Sequence, residues 1–254
     1  MGSCAIPSAS AGGAVRGASI TAVRIVDLSL RLTHGLRTWD VKPPMTILPY
    51  LNAKTFALGF TTKLLILEDH TGTHVDAPFH FYDGERRTPR GHTIDEVALE
   101  TLWGDAVLID VASKRPGEPV TAAMLEAAAR DQRVEVRKGD IVLVRMWSGD
   151  WGEPMDAFLA ARGLTRDGCE WLLERGAKCV GVDHPNLEGA VSEALGNADC
   201  PGHVLLLHPD REVPIVENLV QLDRIGAGRF RFFALPLNIA GATGSPVRAI
   251  ALVE

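Results

Sequence analysis

The sequence predicts an α/β fold: a single domain on a mixed β-sheet curled toward a barrel, with flanking helices. Three observations carry that expectation. Apolar, β-branched runs that read as strands outnumber the amphipathic segments, and the two types alternate only in the middle of the chain. No internal repeat or linker-like shift in composition divides the 254 residues, a length that suits one large α/β domain.

Ile20 to Leu32 alternates apolar and polar residues and reads as the first strand. The loop Thr38-Trp39-Asp40-Val41-Lys42-Pro43-Pro44 follows, because paired prolines block a helix. Leu64-Leu65-Ile66-Leu67 reads as a buried strand, and Ala106 to Val111 as another after Gly104-Asp105. Thr121 is placed to cap a helix running through Met124, Leu125 and Ala128. Gly139-Asp140 leads into the strand Ile141 to Trp147. Thr165 caps a second helix, with Trp171 and Leu172 inward and Gly176 closing it in the left-handed conformation. Cys179 to Asp183 reads as a short buried strand that ends in a carboxylate. Pro201 opens a helix containing Val204 to Leu207. Pro214 assigns the segment Val213 to Val216 to a sheet edge or a strand start. Arg229 to Ile239 and Pro246 to Val253 are the last two strands.

Met1 to Ala18, rich in Ala, Gly and Ser, is expected to be a flexible tail ahead of the domain at 19–254. It lacks the basic segment and apolar stretch of a secretory signal. A net charge of −6 argues against a nucleic-acid partner, which needs clustered Lys and Arg. No apolar run reaches the ~20 residues that cross a bilayer. Four cysteines without a Cys-x-x-Cys pair fit a reducing, cytoplasmic setting, with Cys179 as a plain core residue.

The most informative stretch is His70-Thr-Gly-Thr-His-Val-Asp-Ala-Pro-Phe-His80, which holds three of the chain's eight histidines. Imidazole and carboxylate are the donors that Zn²⁺ and Mn²⁺ take. Gly72 and Pro78 exclude a regular helix, so the motif is expected at a strand end plus irregular loop. In an extended stretch His74 and Asp76 share a side, and Gly72 lets the chain fold back to bring His70 to them. Glu217 follows the apolar Val213 to Val216, where a carboxylate without a cation is costly to bury.

The His-x-Gly-Thr-His-x-Asp-x-Pro-x-His pattern closely resembles the signature of the metal-dependent cyclase-like hydrolase superfamily, which includes bacterial kynurenine formamidase and isatin hydrolase. Gly139 to Trp151, Gly181-Val182-Asp183, Val216-Glu217-Asn218-Leu219 and Gly244 to Ala249 resemble further elements of that family. The resemblance implies a cyclase-like swivelling β/β/α fold and at least a dimer. It implies that His70, His74 and Asp76 bind a first divalent ion, and that His80 is the acid/base residue. In the formamidases Asp76 would bridge to a second ion, completed by Glu217 and a distant His, for which His203 is the natural match and His208 a rival. Trp39 resembles a residue that contacts substrate, whereas Arg145-Met146-Trp147 departs from the family's Arg-Thr-Gly-Trp form.

The implied cofactor is Zn²⁺ or Mn²⁺, with one or two ions per chain. The implied reaction on a small-molecule substrate is hydrolysis of an amide or lactam C–N bond, N-formyl-kynurenine to kynurenine and formate being the most specific form. His80, near the ordinary imidazole pKa of ~6.5, would move the proton. Ring opening of isatin or another cyclic amide or lactone uses the same groups, although Glu217 sits where the isatin enzymes carry Gln. A cyclase or dehydratase, a structural metal and a Cys200/His203 nucleophilic pair are the remaining alternatives.

Overall fold

The computed structural model describes residues 23–38, 42–115, 117–189 and 200–253. The expected tail at 1–18 and Trp39 lie outside these residues. Eleven strands occur among them: β1 Arg24–Asp27, β2 Thr46–Leu51, β3 Thr62–Ile66, β4 His74–Asp76, β5 Trp103–Asp110, β6 Ile141–Arg145, β7 Cys179–Val182, β8 Ile215–Glu217, β9 Phe230–Phe233, β10 Gly244–Pro246 and β11 Ile250–Val253. Four α-helices accompany them: α1 Ala122–Asp131, α2 Met155–Leu159, α3 Arg166–Glu174 and α4 Pro201–Leu206.

Nine strands form one mixed sheet in the order β1-β11-β9-β5-β6-β7-β8-β4-β10. Its centre, β5 to β8, is parallel, and both flanks are antiparallel. The sheet curls into a half-barrel. Past the end of edge strand β1, Ser29 bridges Leu219 just beyond β8, and Val220 N donates to Leu28 O at 3.0 Å. That curl leaves both faces of the central strands β6 and β7 buried. In β6, Ile141 and Leu143 point into the concave core with Val75, Val216 and Phe232. Val142 and Val144 pack under the helices with Leu125, Leu172 and Leu206. Such strands read as continuous apolar runs, which is why β6 and β7 are so visible in the sequence.

The helices begin where their caps dictate. Thr121 Oγ1 accepts from Met124 N, and Thr165 Oγ1 from Gly168 N, both at 3.3 Å. Each cap contributes about 1 kcal/mol. Gly176 ends the α3 turn at φ +75°.

Two strand expectations need correction, and a third is decided between its alternatives. The run from Leu64 is not buried. β3 pairs only with β2, as a separate two-stranded sheet, leaving Leu64, Leu65 and Ile66 about half exposed. An apolar run marks a strand but does not supply the layer that would cover it. Of the two readings of Pro214, the strand start holds and the edge does not: β8 begins one residue later and lies between β7 and β4. Of the expected first strand, residues 20–22 lie outside the described ones, and within 23–32 only Arg24–Asp27 pairs with β11. Among the described residues no helix is long and apolar enough to cross a membrane.

Candidate metal centre

The centre is assembled by β4, β8 and α4. The extended stretch expected at His74 and Asp76 is a strand of its own inside the motif: His74–Asp76 pairs with β8 on one side and β10 on the other. In this register His74 stands opposite Glu217, so both side chains project to the helix-covered face beside Asp76. Gly72, at φ +70°, turns the chain back and carries His70 to the same place. Gly244 in β10 permits the approach, because a Cβ there would lie 2.7 Å from His70 Cε1 and from Val75 O. From the other side α4 supplies His203.

His70, His74, Asp76, His203 and Glu217 are thereby brought together, all buried. Asp76 is the hub. Its Oδ1 lies 2.6 Å from His70 Nδ1 and 3.3 Å from His74 Nε2, and its Oδ2 lies 3.5 Å from His203 Nε2. Glu217 faces the same group, with Oε2 3.6 Å from His74 Nε2 and Oε1 3.3 Å from His203 Nε2. His208 is not part of this group. It sits near the surface, 3.7 Å from Asp210 and with its ring against Tyr82. His203 is therefore the distal histidine of the cluster.

Each of the three buried rings is held by its outer nitrogen. His74 Nδ1 lies 2.8 Å from Gly72 O, an atom that can only accept. His203 Nδ1 is 2.7 Å from Glu188 Oε2, while Glu188 Oε1 accepts from Gly202 N and His203 N at the start of α4. His70 Nε2 is 2.7 Å from Thr243 Oγ1, whose hydroxyl donates to Asp69 Oδ2 at 2.8 Å. In a neutral ring the proton then sits on the outer nitrogen, and the inner lone pair faces carboxylate oxygens. Two of these inner atoms, His74 Nε2 and Asp76 Oδ2, are buried without a hydrogen-bond partner. A lone pair on His74 Nε2 opposed to the Asp76 carboxylate at 3.3 Å repels unless a cation lies between them, so the residues present fit a divalent ion. His74, Asp76 and Glu217 form one compact donor group, and His70, Asp76 and His80 another.

Burial opposes charge at Asp76, but neighbouring His70 and His203 outweigh it and hold the carboxyl well below its ordinary range. Burial likewise lowers the His203 pKa, and Glu188 overcomes it, raising the ring well above 6.5. His80 differs from the others. It begins the exposed rim, with its ring 4.1 Å from that of His70. Desolvation by its neighbours, then the charge of His70, pull its pKa down to about 3.

Glu188, Thr243, Asp69 and Asn218 were not foreseen. Glu188 had a faint signal: it ends the segment Asp183-His184-Pro185-Asn186-Leu187-Glu188, with four polar side chains, that directly follows a buried strand. Cys200 lies beside Glu188 and His203, but burial and the Glu188 carboxylate raise its thiol pKa, which disfavours a thiolate nucleophile.

The family model described as putative cyclase matches residues 26–189. The chain belongs to this cyclase family. Cyclase-like protein 2 of Arabidopsis thaliana is 32% identical over 235 residues, covering 89% of this chain and 78% of the relative. Kynurenine formamidase of Bordetella petrii is 30% identical over 226 residues, covering 84% and 97%. Among solved structures, isatin hydrolase A from Ralstonia solanacearum superposes with a TM-score of 0.77 at 29% identity, over 91% of this chain and 92% of that one. The His70 to His80 motif falls within the span matched to the cyclase family.

Proposed function

We propose that this protein is a metal-dependent hydrolase of non-peptide C–N bonds, acting as an arylformamidase on N-formyl-kynurenine within tryptophan catabolism. The observation that carries the metal reading is Asp76, whose two oxygens face different histidines while Glu217 faces both sides. His70, His74 and Asp76 would hold a first ion, and Asp76, His203 and Glu217 a second. The absence of cysteine from these two groups favours Zn²⁺ or Mn²⁺ in a catalytic role over a structural zinc site. A divalent ion held there polarises a carbonyl and lowers the pKa of water from 15.7 to about 7.

The protein's own groups do the rest. Thr243, Gly72 and Glu188 fix the three rings, so the inner nitrogens need no reorganisation when charge develops. His80 stands at the rim beside His70, where it can take a proton from water and return it to the leaving nitrogen. With its pKa depressed, it is a neutral base at pH 7. The formamidase relative, alignable over 97% of its length, supports the amide substrate.

A second reading is ring opening of isatin or a related cyclic amide, favoured by the isatin hydrolase A neighbour. Turnover of N-formyl-kynurenine and isatin by zinc- or manganese-loaded protein separates the two. Failure on both, with metal bound, rejects both substrates.

We further propose a homodimer. The β2–β3 sheet leaves Leu48, Tyr50, Leu64, Leu65 and Ile66 exposed on a ribbon that no other layer of the described residues covers. A lone two-stranded sheet is marginally stable, and a second copy supplies the missing layer.

A further inference from the structure

His74 reaches the metal centre through a ring orientation that nothing in its own strand enforces. Its Nδ1 donates to Gly72 O, and Gly72 has no side chain to fix its peptide plane. That carbonyl has one more partner, Asn218 Nδ2, at 3.0 Å. The other end of the same amide, Asn218 Oδ1, accepts from Trp151 Nε1 at 3.1 Å. Because a carbonyl oxygen only accepts and an indole nitrogen only donates, the two neighbours settle which end of the amide is which.

Asn218 is built for this position. It is fully buried and sits in the left-handed region at φ +57°, a conformation that Asn adopts more readily than most residues. Its backbone is tied independently: its N–H donates to His184 O at 3.0 Å, and its C=O accepts from Thr73 Oγ1 at 2.6 Å. The side chain is therefore free of any role in holding its own segment. Only an amide serves both neighbours, since a carboxylate has no donor for Gly72 O and an aliphatic chain has neither group.

We propose that Asn218 is a positioning residue for the metal centre, with Trp151 as its anchor. The relay Trp151–Asn218–Gly72 locks the peptide at Gly72, fixes the proton of His74 on Nδ1, and aims the Nε2 lone pair at Asp76 and Glu217. Outer contacts of this kind are commonly worth 10- to 100-fold in metal affinity. The inference rests on His74 being a metal ligand, and the test separates the two ideas.

Asn218→Gly keeps the left-handed backbone at no steric cost and removes the side chain with its amide. Trp151→Phe, further from the site, keeps an aromatic ring beside Phe158 and removes the indole donor. The first readout is the tautomer of His74 in metal-free protein, from ring ¹⁵N shifts assigned by the loss of signals in His74→Gln. The second is zinc affinity by chelator competition, with unfolding temperature recorded alongside. The relay requires a single Nδ1–H tautomer in the parent protein. It also requires tautomer mixing in both variants, together with zinc affinity about 10- to 100-fold weaker in Asn218→Gly and a smaller loss in Trp151→Phe. An unchanged tautomer with affinity within twofold of the parent overturns the relay, while the parent's zinc binding still upholds the metal reading. A fall in unfolding temperature alone, with tautomer and affinity unchanged, makes Asn218 a loop staple and also overturns it. Should the parent bind neither zinc nor manganese, the metal reading falls, and the tautomer alone decides whether the relay stands.

Discussion

His74 and Glu217 stand directly opposite one another in the β4–β8 pair, with Nε2 and Oε2 3.6 Å apart. Strand register thus sets the spacing of two metal-facing groups, and Asp76 follows on the same side two residues along β4. His74→Ala should bind metal markedly less well, because it deletes one of the few nitrogen and oxygen donors. Glu217→Gln should weaken one class of site more than the other, since Glu217 contacts His74 and His203 but not His70. Titration with zinc followed by elemental analysis checks both, and undiminished occupancy in both variants would refute the assignment.

His80→Ala should keep its fold and its metal but lose roughly 10²- to 10⁴-fold in kcat, the usual contribution of a positioned acid/base. The sign of the pH dependence follows from the depressed pKa. The neutral ring is the active form, so kcat/KM should fall only as the pH drops well below 6.5, and that limb should vanish in the variant. An ordinary limb centred at 6.5 that survives in His80→Ala would move the role elsewhere. Loss of metal in the variant would make His80 a ligand, consistent with its place beside His70 and Asp76.

Asp183 supplies a stability test away from the metal. Burial raises its carboxyl pKa to about 7, although Met146 N and Trp147 N both donate to it. Folded-state pKa above the unfolded value means that the native state binds the extra proton, so this group favours folding at low pH. Its contribution is lost as the pH rises from about 4 to about 7. Asp183→Asn cannot ionise, so the difference in unfolding temperature, parent minus variant, should decline across that window. A flat difference would show that Asp183 is charged throughout.

The fold and the donors were legible to different degrees, for physical reasons. Strands buried on both faces, such as Ile141–Arg145 and Cys179–Val182, leave uninterrupted apolar runs. Thr121 and Thr165 announce helix starts because a cap is local chemistry. His70, His74 and Asp76 lie within seven residues, so their clustering needs no tertiary knowledge. His203 and Glu217 join them only through the placing of α4 and the register of β8; resemblance pointed to both, and for Glu217 the apolar run before it was a second sign. Thr243 and Asn218 act at long range on other side chains and have no pattern of their own, whereas Glu188 is marked only by the segment that follows β7. The exposed face of β3 was misread because an apolar run looks the same whether its cover comes from the chain or from another copy.

That ribbon gives the last test. β2 and β3 carry Lys54 and Lys63 on their connection and strand, and no acidic residue lies between Thr46 and Ile66, whereas the whole chain has a net charge of −6. An apolar, mildly basic ribbon suits an acidic second copy, where steering and burial act together. Leu64 and Ile66, two residues apart, point to one face, and Leu48 stands opposite Leu64. Leu64→Glu with Ile66→Lys should leave the nine-stranded sheet and its metal binding intact while converting a dimer to a monomer. Light scattering after size exclusion reads the change directly. A parent protein that is already monomeric at micromolar concentration would remove the dimer proposal, and a variant that remains dimeric would place the interface on another face.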